Sequence, residues 1–254
     1  MITLVDDLPV YYESYGEGRP VVFLPGWGNA NSEGRDIHEP AFENHSGWRR
    51  IYIDPPGTGN TPSRDWIKDQ DDMLDVLARV TDDLAGGEPF ALAGTSAGGL
   101  HARGIIHRDP TRILGLLLRV PGVVAARDAR TLPEYRAMPA AFEAARQEKQ
   151  TRYYLPAEEQ ADLDFLGTIQ RNGYGLSVEP KARLEAPTLI VTGRQDTITG
   201  YADAWPLLDD YPRATYAVLD RADHDLPIEN EALYRTLVSD WLDRMEEMAK
   251  HPGA

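Results

Sequence analysis

Short apolar runs that end in glycine or proline recur along the chain, and helix-like stretches separate them. The clearest runs are "VVFLPG" at 21–26, "RRIYIDPPG" at 49–57, "PFALAG" at 89–94, "RILGLLLRVPG" at 112–122 and "APTLIVTG" at 186–193, with a weaker one, "ATYAVLD", at 214–220. Runs of this length without polar alternation are typical of strands that are buried on both faces, as in a parallel sheet.

The stretches between these runs have the periodicity of amphipathic helices. "DDMLDVLARVTDDLAGG" places Met73, Leu74, Leu77, Val80 and Leu84 on one stripe before its closing glycines. The last stretch, "ENEALYRTLVSDWLDRMEEMAKH", repeats such a stripe, whereas the opening "LPVYYESYGEGRP" predicts an antiparallel hairpin at a sheet edge. The pattern therefore predicts an α/β fold with a doubly wound, mostly parallel sheet and an antiparallel edge.

One segment, 122–182, breaks this alternation. It contains no strand-like apolar run and is rich in Ala, Glu, Gln, Arg and Tyr, which predicts several short helices. Two interpretations are open: a surface excursion, or a helical cap over the carboxyl ends of the strands, where ligands bind in open α/β sheets. We favour the cap, with 1–121 and 183–254 forming the core.

Charge and composition limit the possible partners and compartments. The formal charge is −15, from 41 acidic and 26 basic residues, and no run of Lys and Arg gathers in one segment, so we expect no nucleic-acid partner. The chain has no cysteine and no apolar stretch of about 18 residues, and "MITLVDDLPV" has acids where a secretory signal would have lysines followed by a long apolar run, so we expect no such signal there. We expect a cytoplasmic protein without a membrane span, a monomer or homodimer, that acts on a small molecule.

Ser96 lies at the centre of a motif that carries chemistry. Gly94-Thr95-Ser96-Ala97-Gly98 fits G-x-S-x-G, follows a predicted strand and precedes a helix-like stretch, "GLHARGIIHRD". The small neighbours are compatible with tight backbone packing alone, but the context also predicts a nucleophile elbow. There the serine occupies a strained turn, and the amides at the start of the helix favour a developing oxyanion.

A serine nucleophile needs a base, and His224 is the best candidate among six histidines. It follows the last predicted strand directly, so its loop lies at the carboxyl edge of the sheet, although a capping or surface histidine would have the same position. The alternatives lie in a polar connection, on the helix after the elbow, or in the carboxyl-terminal tail: His38, His45, His101, His107 and His251.

The base needs an acid to orient it, and Asp196 in "LIVTGRQDTIT" follows another strand end. An aspartate there can also be a turn or helix cap. The order Ser96, Asp196, His224 is nevertheless the order expected for this elbow. The acids nearest the histidine in sequence are too close to reach the outer face of its ring: Asp220, Asp223 and Asp225.

Together these motifs resemble the α/β-hydrolase superfamily, in the capped branch that includes esterases, lactonases, prolyl aminopeptidases and carbon–carbon bond hydrolases. The matching segments are "FLPGWGN", "IDPPGTGNTP", "GTSAGG", "TGRQD" and "ADHDLPIEN", in the order of the family. Two departures stand out: Pro25 replaces a frequent histidine before Gly26, and "IDPPGTGNTP" lacks the usual histidine or arginine between its glycines. We interpret Asp54 in that loop as structural.

The resemblance implies an oxyanion hole formed by the backbone N–H groups of Trp27 and Ala97. The residues themselves predict no metal, since no two histidines have ligand spacing with carboxylates, and no cofactor, since "GEG" at 16–18 and "GTG" at 57–59 lack the surrounding dinucleotide fingerprint. The resemblance also implies a serine hydrolase that cleaves a small carboxylic ester through an acyl-enzyme. Three other hypotheses remain: an aminopeptidase in which Glu158 or Glu159 holds the ammonium group, a carbon–carbon bond hydrolase, and a hydrolase-like receptor with little turnover. Substrate contacts from the cap are open, the candidates being Arg127, Arg152, Tyr153, Tyr154, Phe165 and Tyr174.

Overall fold

A computed structural model describes residues 1–134, 136–226 and 231–250, and eight strands form one sheet. The strands are β1 (Ile2–Val5), β2 (Leu8–Tyr15), β3 (Arg19–Leu24), β4 (Trp48–Ile53), β5 (Phe90–Thr95), β6 (Ile113–Arg119), β7 (Thr188–Gly193) and β8 (Ala214–Leu219). Their order is β1-β2-β4-β3-β5-β6-β7-β8; β2 is antiparallel to both neighbours, and all other pairs are parallel. The predicted sheet and its antiparallel edge are confirmed.

Helices cover both faces of this sheet. They are α1 (Asn31–His38), α2 (Gln70–Ala85), α3 (Ala97–Arg108), α4 (Ala140–Lys149), α5 (Leu155–Gln160), α6 (Leu163–Arg171), α7 (Leu207–Asp210) and α8 (Glu231–Lys250). Val22 and Leu24 of β3 pack in one apolar cluster with α2 and α3, whereas Val21 and Phe23 pack in a second cluster with α8. Alternate side chains of a strand thus enter two cores, as a doubly wound sheet requires. Among the described helices, none is long and apolar enough to cross a membrane.

Helix α2 illustrates how the sequence defines an element. The Asp69 side chain caps its start by accepting hydrogen bonds from the N–H groups of Asp71 and Asp72. Gly86 ends it with φ +64°, a left-handed conformation that favours glycine. The predicted apolar stripe from 73 to 84 is buried along its whole length.

The segment between β6 and β7 contains α4, α5 and α6 and, in its described part, no strand. A π-helical turn, Gln150–Tyr154, joins α4 to α5 without a break, and a short 3₁₀ turn, Arg127–Ala129, precedes them. The helices expected within 122–182 are therefore present.

A buried ionic cluster ties this segment to the sheet. Glu33 of α1 accepts hydrogen bonds from Arg119 at the end of β6, at 2.7 and 2.8 Å, and from Nζ of Lys149 in α4, at 2.7 Å. All three side chains are almost completely buried. Burial opposes ionisation of Glu33, but the two cations outweigh it and lower the pKa of the carboxyl to about 2.

We expect Glu33→Gln to reduce the free energy of unfolding by about 3–5 kcal/mol, because it leaves two cations buried without a carboxylate. Urea denaturation measures the loss. Glu185→Gln is the control, since Glu185 pairs with Arg183 on the surface and its loss should leave the midpoint unchanged. Equal midpoints for the Glu33 variant and the wild type would contradict this account of the cluster.

Two buried histidines in the helices are held neutral. Nδ1–H of His38 donates to the carbonyl of Gly34 at 2.6 Å, and its Nε2 accepts from the hydroxyl of Tyr234 at 2.8 Å. Nε2–H of His101 donates to Gln70 at 2.9 Å. Burial disfavours the charged imidazolium, so it lowers the pKa of His38 to about 3 and that of His101 to about 4.

These shifts make the protein sensitive to acid. In the unfolded chain the two imidazoles bind protons near pH 6.5, whereas in the folded chain they stay neutral until the pH is much lower. Their contribution to stability is therefore complete above about pH 6.5 and is lost as the pH falls toward 4 and 3, at roughly 1.4 kcal/mol per unit of pKa shift. Urea denaturation should give a lower free energy of unfolding at pH 4.5 than at pH 7, with a flatter dependence in His101→Gln. A wild-type free energy that is constant over this range would contradict the prediction.

Candidate active site

Ser96 occupies the sharp turn between β5 and α3. Its φ of 52° and ψ of −113° lie outside the regions that residues other than glycine prefer. The strained conformation is held by main-chain hydrogen bonds: the Ser96 N–H donates to the carbonyl of Arg119 at 2.9 Å, and the Ser96 carbonyl accepts from the N–H groups of Gly99 and Gly122 at 3.0 Å and of Leu100 at 3.4 Å. The turn presents the serine side chain above the carboxyl edge of the sheet.

The glycines beside Ser96 are required by close backbone contacts. A Cβ at Gly94 would collide with the carbonyl of Gly98, and one at Gly98 would collide with the carbonyls of Leu24 and Pro25. The obstacles are backbone atoms of the turn itself, of the end of β3 and of the loop that follows β3. Small residues therefore let α3 begin directly against that loop.

The structure brings Ser96, His224 and Asp196 together from three strand ends. The Ser96 hydroxyl lies 3.1 Å from Nε2 of His224, and Nδ1 of His224 lies 3.0 Å from Oδ2 of Asp196. With the proton on Nδ1, the ring donates to the carboxylate and accepts from the serine hydroxyl. This is the arrangement that activates a serine as a nucleophile.

Asp196 is completely buried and fully hydrogen-bonded. Its Oδ1 accepts from the N–H groups of Ile198 and Thr199 at 2.8 and 3.0 Å, and its Oδ2 accepts from the Thr199 hydroxyl at 2.7 Å and from His224. Burial raises the pKa of the carboxyl, but His224 and these hydrogen bonds prevail and lower it to about 2. Asp196 is therefore an anion at any pH at which the protein is expected to work.

Sequence reasoning missed Thr199, which holds the carboxylate in place. Its hydroxyl also lies 3.3 Å from the carbonyl of Val120, a residue with φ +43°. An aspartate followed three residues later by threonine in a loop is a signal for such a turn, and it could have been read from "DTIT".

The other acids near the histidine have different contacts. Asp223 pairs with Arg146 at 3.3 Å, and Asp225 accepts a hydrogen bond from the Tyr154 hydroxyl at 2.8 Å. The carbonyl of Asp220 accepts from the side chain of Gln195. The described histidines other than His224 lie outside the lining of the cavity that contains Ser96, namely His38, His45, His101 and His107; His251 falls outside the described residues.

The two amides expected to form an oxyanion hole belong to residues of the two turns that meet at Ser96. Ala97 is the first residue of α3, and Trp27 lies in the turn after β3, which the N–H of Asn29 closes onto the carbonyl of Gly26 at 3.1 Å. A Cβ at Gly26 would approach Cβ of Ser96 at 3.6 Å, so this turn passes directly beside the serine. The role of the two amides stays a prediction.

Asp54 supports the neighbouring loop. It is completely buried and accepts hydrogen bonds from the N–H and side-chain amide of Asn31 at 2.8 and 2.7 Å and from the N–H of Asn60 at 2.9 Å. Burial raises the pKa of its carboxyl despite these bonds. The contacts join the start of α1 to the loop after β4, as expected for a structural residue.

A cavity of about 570 Å³ opens at Ser96 and His224. The segment between β6 and β7 supplies much of its wall, through Arg146, Gln150, Tyr154, Glu158 and Leu166 of its helical part and Tyr174 of the loop after α6. Trp27 of the core also lines the cavity, and its ring meets the Tyr174 ring edge to face, with centroids 5.5 Å apart.

The remaining candidates from 122–182 lie outside this lining. Tyr153 and Arg152 both donate to the carboxylate of Asp36 in α1, and Phe165 contacts Gly57. Arg127 and Glu159 are exposed.

Within the described part of the chain, three potential metal ligands lie together outside the cavity. Nδ1 of His45 lies 3.3 Å from Glu246 and 3.9 Å from Asp243, and Glu246 also accepts from the indole N–H of Trp48. About 200 residues separate His45 from these acids in the sequence, so spacing gave no sign of the group. The hydrogen bonds account for its geometry without an ion.

A serine at a strand–turn–helix elbow, facing a histidine and an aspartate at neighbouring strand ends, defines the α/β-hydrolase class. Residues 21–236 match the alpha/beta hydrolase family, so the chain belongs to that family. The predicted superfamily and fold are confirmed, as is the prediction of an enzyme.

Known proteins resemble the chain over nearly its whole length. A pimeloyl-[acyl-carrier protein] methyl ester esterase of Legionella pneumophila is 24% identical, over 92% of this chain and 99% of the relative. The crystal structure of an α/β superfamily hydrolase from Oenococcus oeni covers 93% of this chain and 96% of its own, with 24% identity and a TM-score of 0.84. A meta-cleavage product hydrolase from Pseudomonas fluorescens has 20% identity and a TM-score of 0.70, over 96% of this chain and 97% of its own.

Proposed function

We propose that the protein is a carboxylic ester hydrolase that uses Ser96, His224 and Asp196 as a catalytic triad. The observation that carries the proposal is the continuous chain of hydrogen bonds from the Ser96 hydroxyl through the imidazole to a buried carboxylate, at the wall of a substrate-sized cavity. The name of the Legionella relative, a methyl ester esterase, supports an ester as the bond that is cleaved.

The first half of the reaction forms an acyl-enzyme. The Ser96 oxygen attacks the ester carbonyl while Nε2 of His224 takes the hydroxyl proton. The N–H groups of Trp27 and Ala97 donate to the oxyanion of the tetrahedral intermediate, and each such donor is worth roughly 3–4 kcal/mol of transition-state stabilisation. The intermediate then collapses, and His224 passes its proton to the departing alkoxide, which leaves as the alcohol.

The second half releases the acid. A water molecule loses a proton to His224 as its oxygen attacks the acyl carbon, and the proton returns to Ser96 when the second intermediate collapses. Asp196 stays ionised throughout because its low pKa favours the anion, and it stabilises the imidazolium that forms twice in each cycle. Thr199 is a positioning residue that holds this carboxylate.

We further propose that 122–182 forms a cap and that 1–121 and 183–254 form the core beneath it. The cap helices supply one wall of the cavity, and polar contacts join them to the core: Lys149 to Glu33, Tyr153 to Asp36. A covering of short helices outside the sheet should open at a lower free energy than the sheet itself.

The cap assignment predicts different effects for two adjacent tyrosines. Tyr154→Ala should change the relative rates across a series of acyl esters, because Tyr154 lines the cavity. Tyr153→Ala is the matched control, since its side chain binds Asp36 instead and its loss should affect all members of the series equally. Steady-state kcat/KM measures both. The same profile in both variants and the wild type would contradict the assignment.

Hydrogen exchange tests the cap independently of rates. Amides in 122–182 should exchange faster than those in 89–120, and more slowly once a covalent acyl mimic occupies Ser96. If the exchange rates in 122–182 are the same with and without the mimic, the segment is a surface excursion and not a cap.

The activity itself is tested with a panel of esters, lactones, aminoacyl amides and vinylogous diketones. We expect many turnovers per enzyme on a carboxylic ester. Preferred turnover of aminoacyl amides would favour the aminopeptidase alternative, which the position of Glu158 in the cavity wall permits. Preferred turnover of diketones would indicate a carbon–carbon bond hydrolase, and binding without turnover would indicate a receptor.

A further inference from the structure

A second cavity lies behind Tyr174, next to the one that contains Ser96. Its volume is about 210 Å³, and its lining is mostly apolar, with Leu100, Val123, Val124, Leu176 and Pro180 among its residues. Among the described residues, Tyr174 alone lines both cavities. The tyrosine ring is therefore the partition between them.

The second cavity begins close to the nucleophile and ends at the surface. Gly122 in its wall donates its N–H to the carbonyl of Ser96 at 3.0 Å. Ala125 and Glu179, which also line it, are exposed. The space is thus an apolar passage from the neighbourhood of Ser96 toward solvent, with Tyr174 across its inner end.

The local sequence suits a movable partition. Gly173 has φ +123°, where residues with a side chain are strained, and a Cβ there would meet nothing within 4 Å. Gly175 lets the chain pass close to Ala125, since a Cβ there would lie 2.9 Å from the alanine Cβ. The tyrosine ring meets the Trp27 ring edge to face, with the ring centroids 5.5 Å apart. A bulky ring between two glycines can be displaced without breaking a helix or strand.

We propose that the second cavity is a subsite for an alkyl chain of the substrate, and that Tyr174 is the specificity-determining residue that admits the chain to it. This proposal rests on the ester hydrolysis proposed above. The apolar lining favours a hydrocarbon over a polar group, and Glu179 at the rim disfavours a chain that ends in a carboxylate. Since the rim is open, a longer chain can extend into solvent.

The alkyl chain can belong to the acyl part or to the alcohol part of the ester, and two ester series distinguish them. One series lengthens the acyl chain on a fixed p-nitrophenol, and the other lengthens the alcohol on a fixed acetyl group. In the series whose chain enters the subsite, kcat/KM should rise by about four-fold per methylene, because this factor corresponds to the burial of one methylene.

Substitutions at the partition and in the passage test the assignment. Val123→Trp should fill the cavity and lower the ratio of kcat/KM for the longest ester to that for the shortest by at least ten-fold. Tyr174→Ala should raise the same ratio, and Tyr174→Phe should keep it. Val178→Trp is the matched control, because Val178 is exposed and lies outside both linings. If Val123→Trp does not fold, the contrast between a raised ratio in Tyr174→Ala and an unchanged ratio in Tyr174→Phe carries the test.

The outcomes separate this inference from the proposed function. Ester turnover in the wild type with the same length profile in Val123→Trp, Tyr174→Ala and Val178→Trp would overturn the alkyl subsite and leave the hydrolase intact. No turnover of any ester would overturn the proposed function instead. Titration calorimetry with 1-octanol then decides the subsite alone: Val123→Trp must weaken binding at least ten-fold, and unchanged affinity would overturn it.

Discussion

Ser96→Ala should lower kcat for ester hydrolysis by at least about 10⁴-fold while the protein remains folded. The substitution removes the atom that attacks the ester and the proton that His224 accepts, so the acyl-enzyme cannot form. The strained backbone at Ser96 keeps the hydrogen bonds that hold it, since they join main-chain atoms. Steady-state kinetics measures the loss.

Thermal denaturation of Ser96→Ala is the control, because its transition should stay close to that of the wild type. Residual hydrolysis within ten-fold of the wild type would show that another residue performs the reaction.

Asp196→Asn should lower kcat by about 10⁴-fold with a smaller effect on KM. The asparagine amide can donate to Nδ1 of His224, which favours the tautomer whose Nε2 carries the proton and cannot accept one from Ser96. It also removes the charge that stabilises the imidazolium. Kinetics over a range of ester concentrations separates the effects on kcat and KM.

Asp225→Asn is the matched control for the acid, since Asp225 lies beside His224 in sequence but binds Tyr154. Its kcat should stay within about ten-fold of the wild type. A large loss of kcat in Asp225→Asn or Asp223→Asn, together with a nearly unchanged kcat in Asp196→Asn, would show that Asp196 is not the acid of the triad.

The parts of the fold that the sequence predicts well are those encoded by local pattern. The buried strands follow from continuous apolar runs, and α2 follows from a stripe with an aspartate at its start and glycine at its end. The elbow follows from G-x-S-x-G because the backbone approach at Gly98 excludes any side chain. In each case the physical constraint acts within a few residues.

The features that escaped prediction join residues far apart in the chain. Glu33, Arg119 and Lys149 come from three elements, and no spacing rule relates a charge in α1 to one in α4. Tyr174 was one of several aromatic candidates, and only the packing of the segment between β6 and β7 shows that it separates two cavities. The hydrogen bonds of Thr199 with Asp196 have a signal in the local sequence, but the contact of Thr199 with Val120, which is far away in the chain, has none.

The same limit applies to the choice of substrate. The triad geometry depends on strand order, which the family shares, whereas the cavity wall depends on the helices that this chain inserts between β6 and β7. The sequence motifs therefore predict the type of reaction better than they predict the choice of substrate.

Covalent labelling with a fluorophosphonate tests the central claim most directly. The reagent phosphonylates a serine only where a base activates the hydroxyl. Peptide mass spectrometry of the labelled wild type should place one adduct on Ser96, and the Ser96→Ala protein should take up none. An adduct at another residue, or equal labelling of the two proteins, would contradict the assignment of Ser96 as the nucleophile.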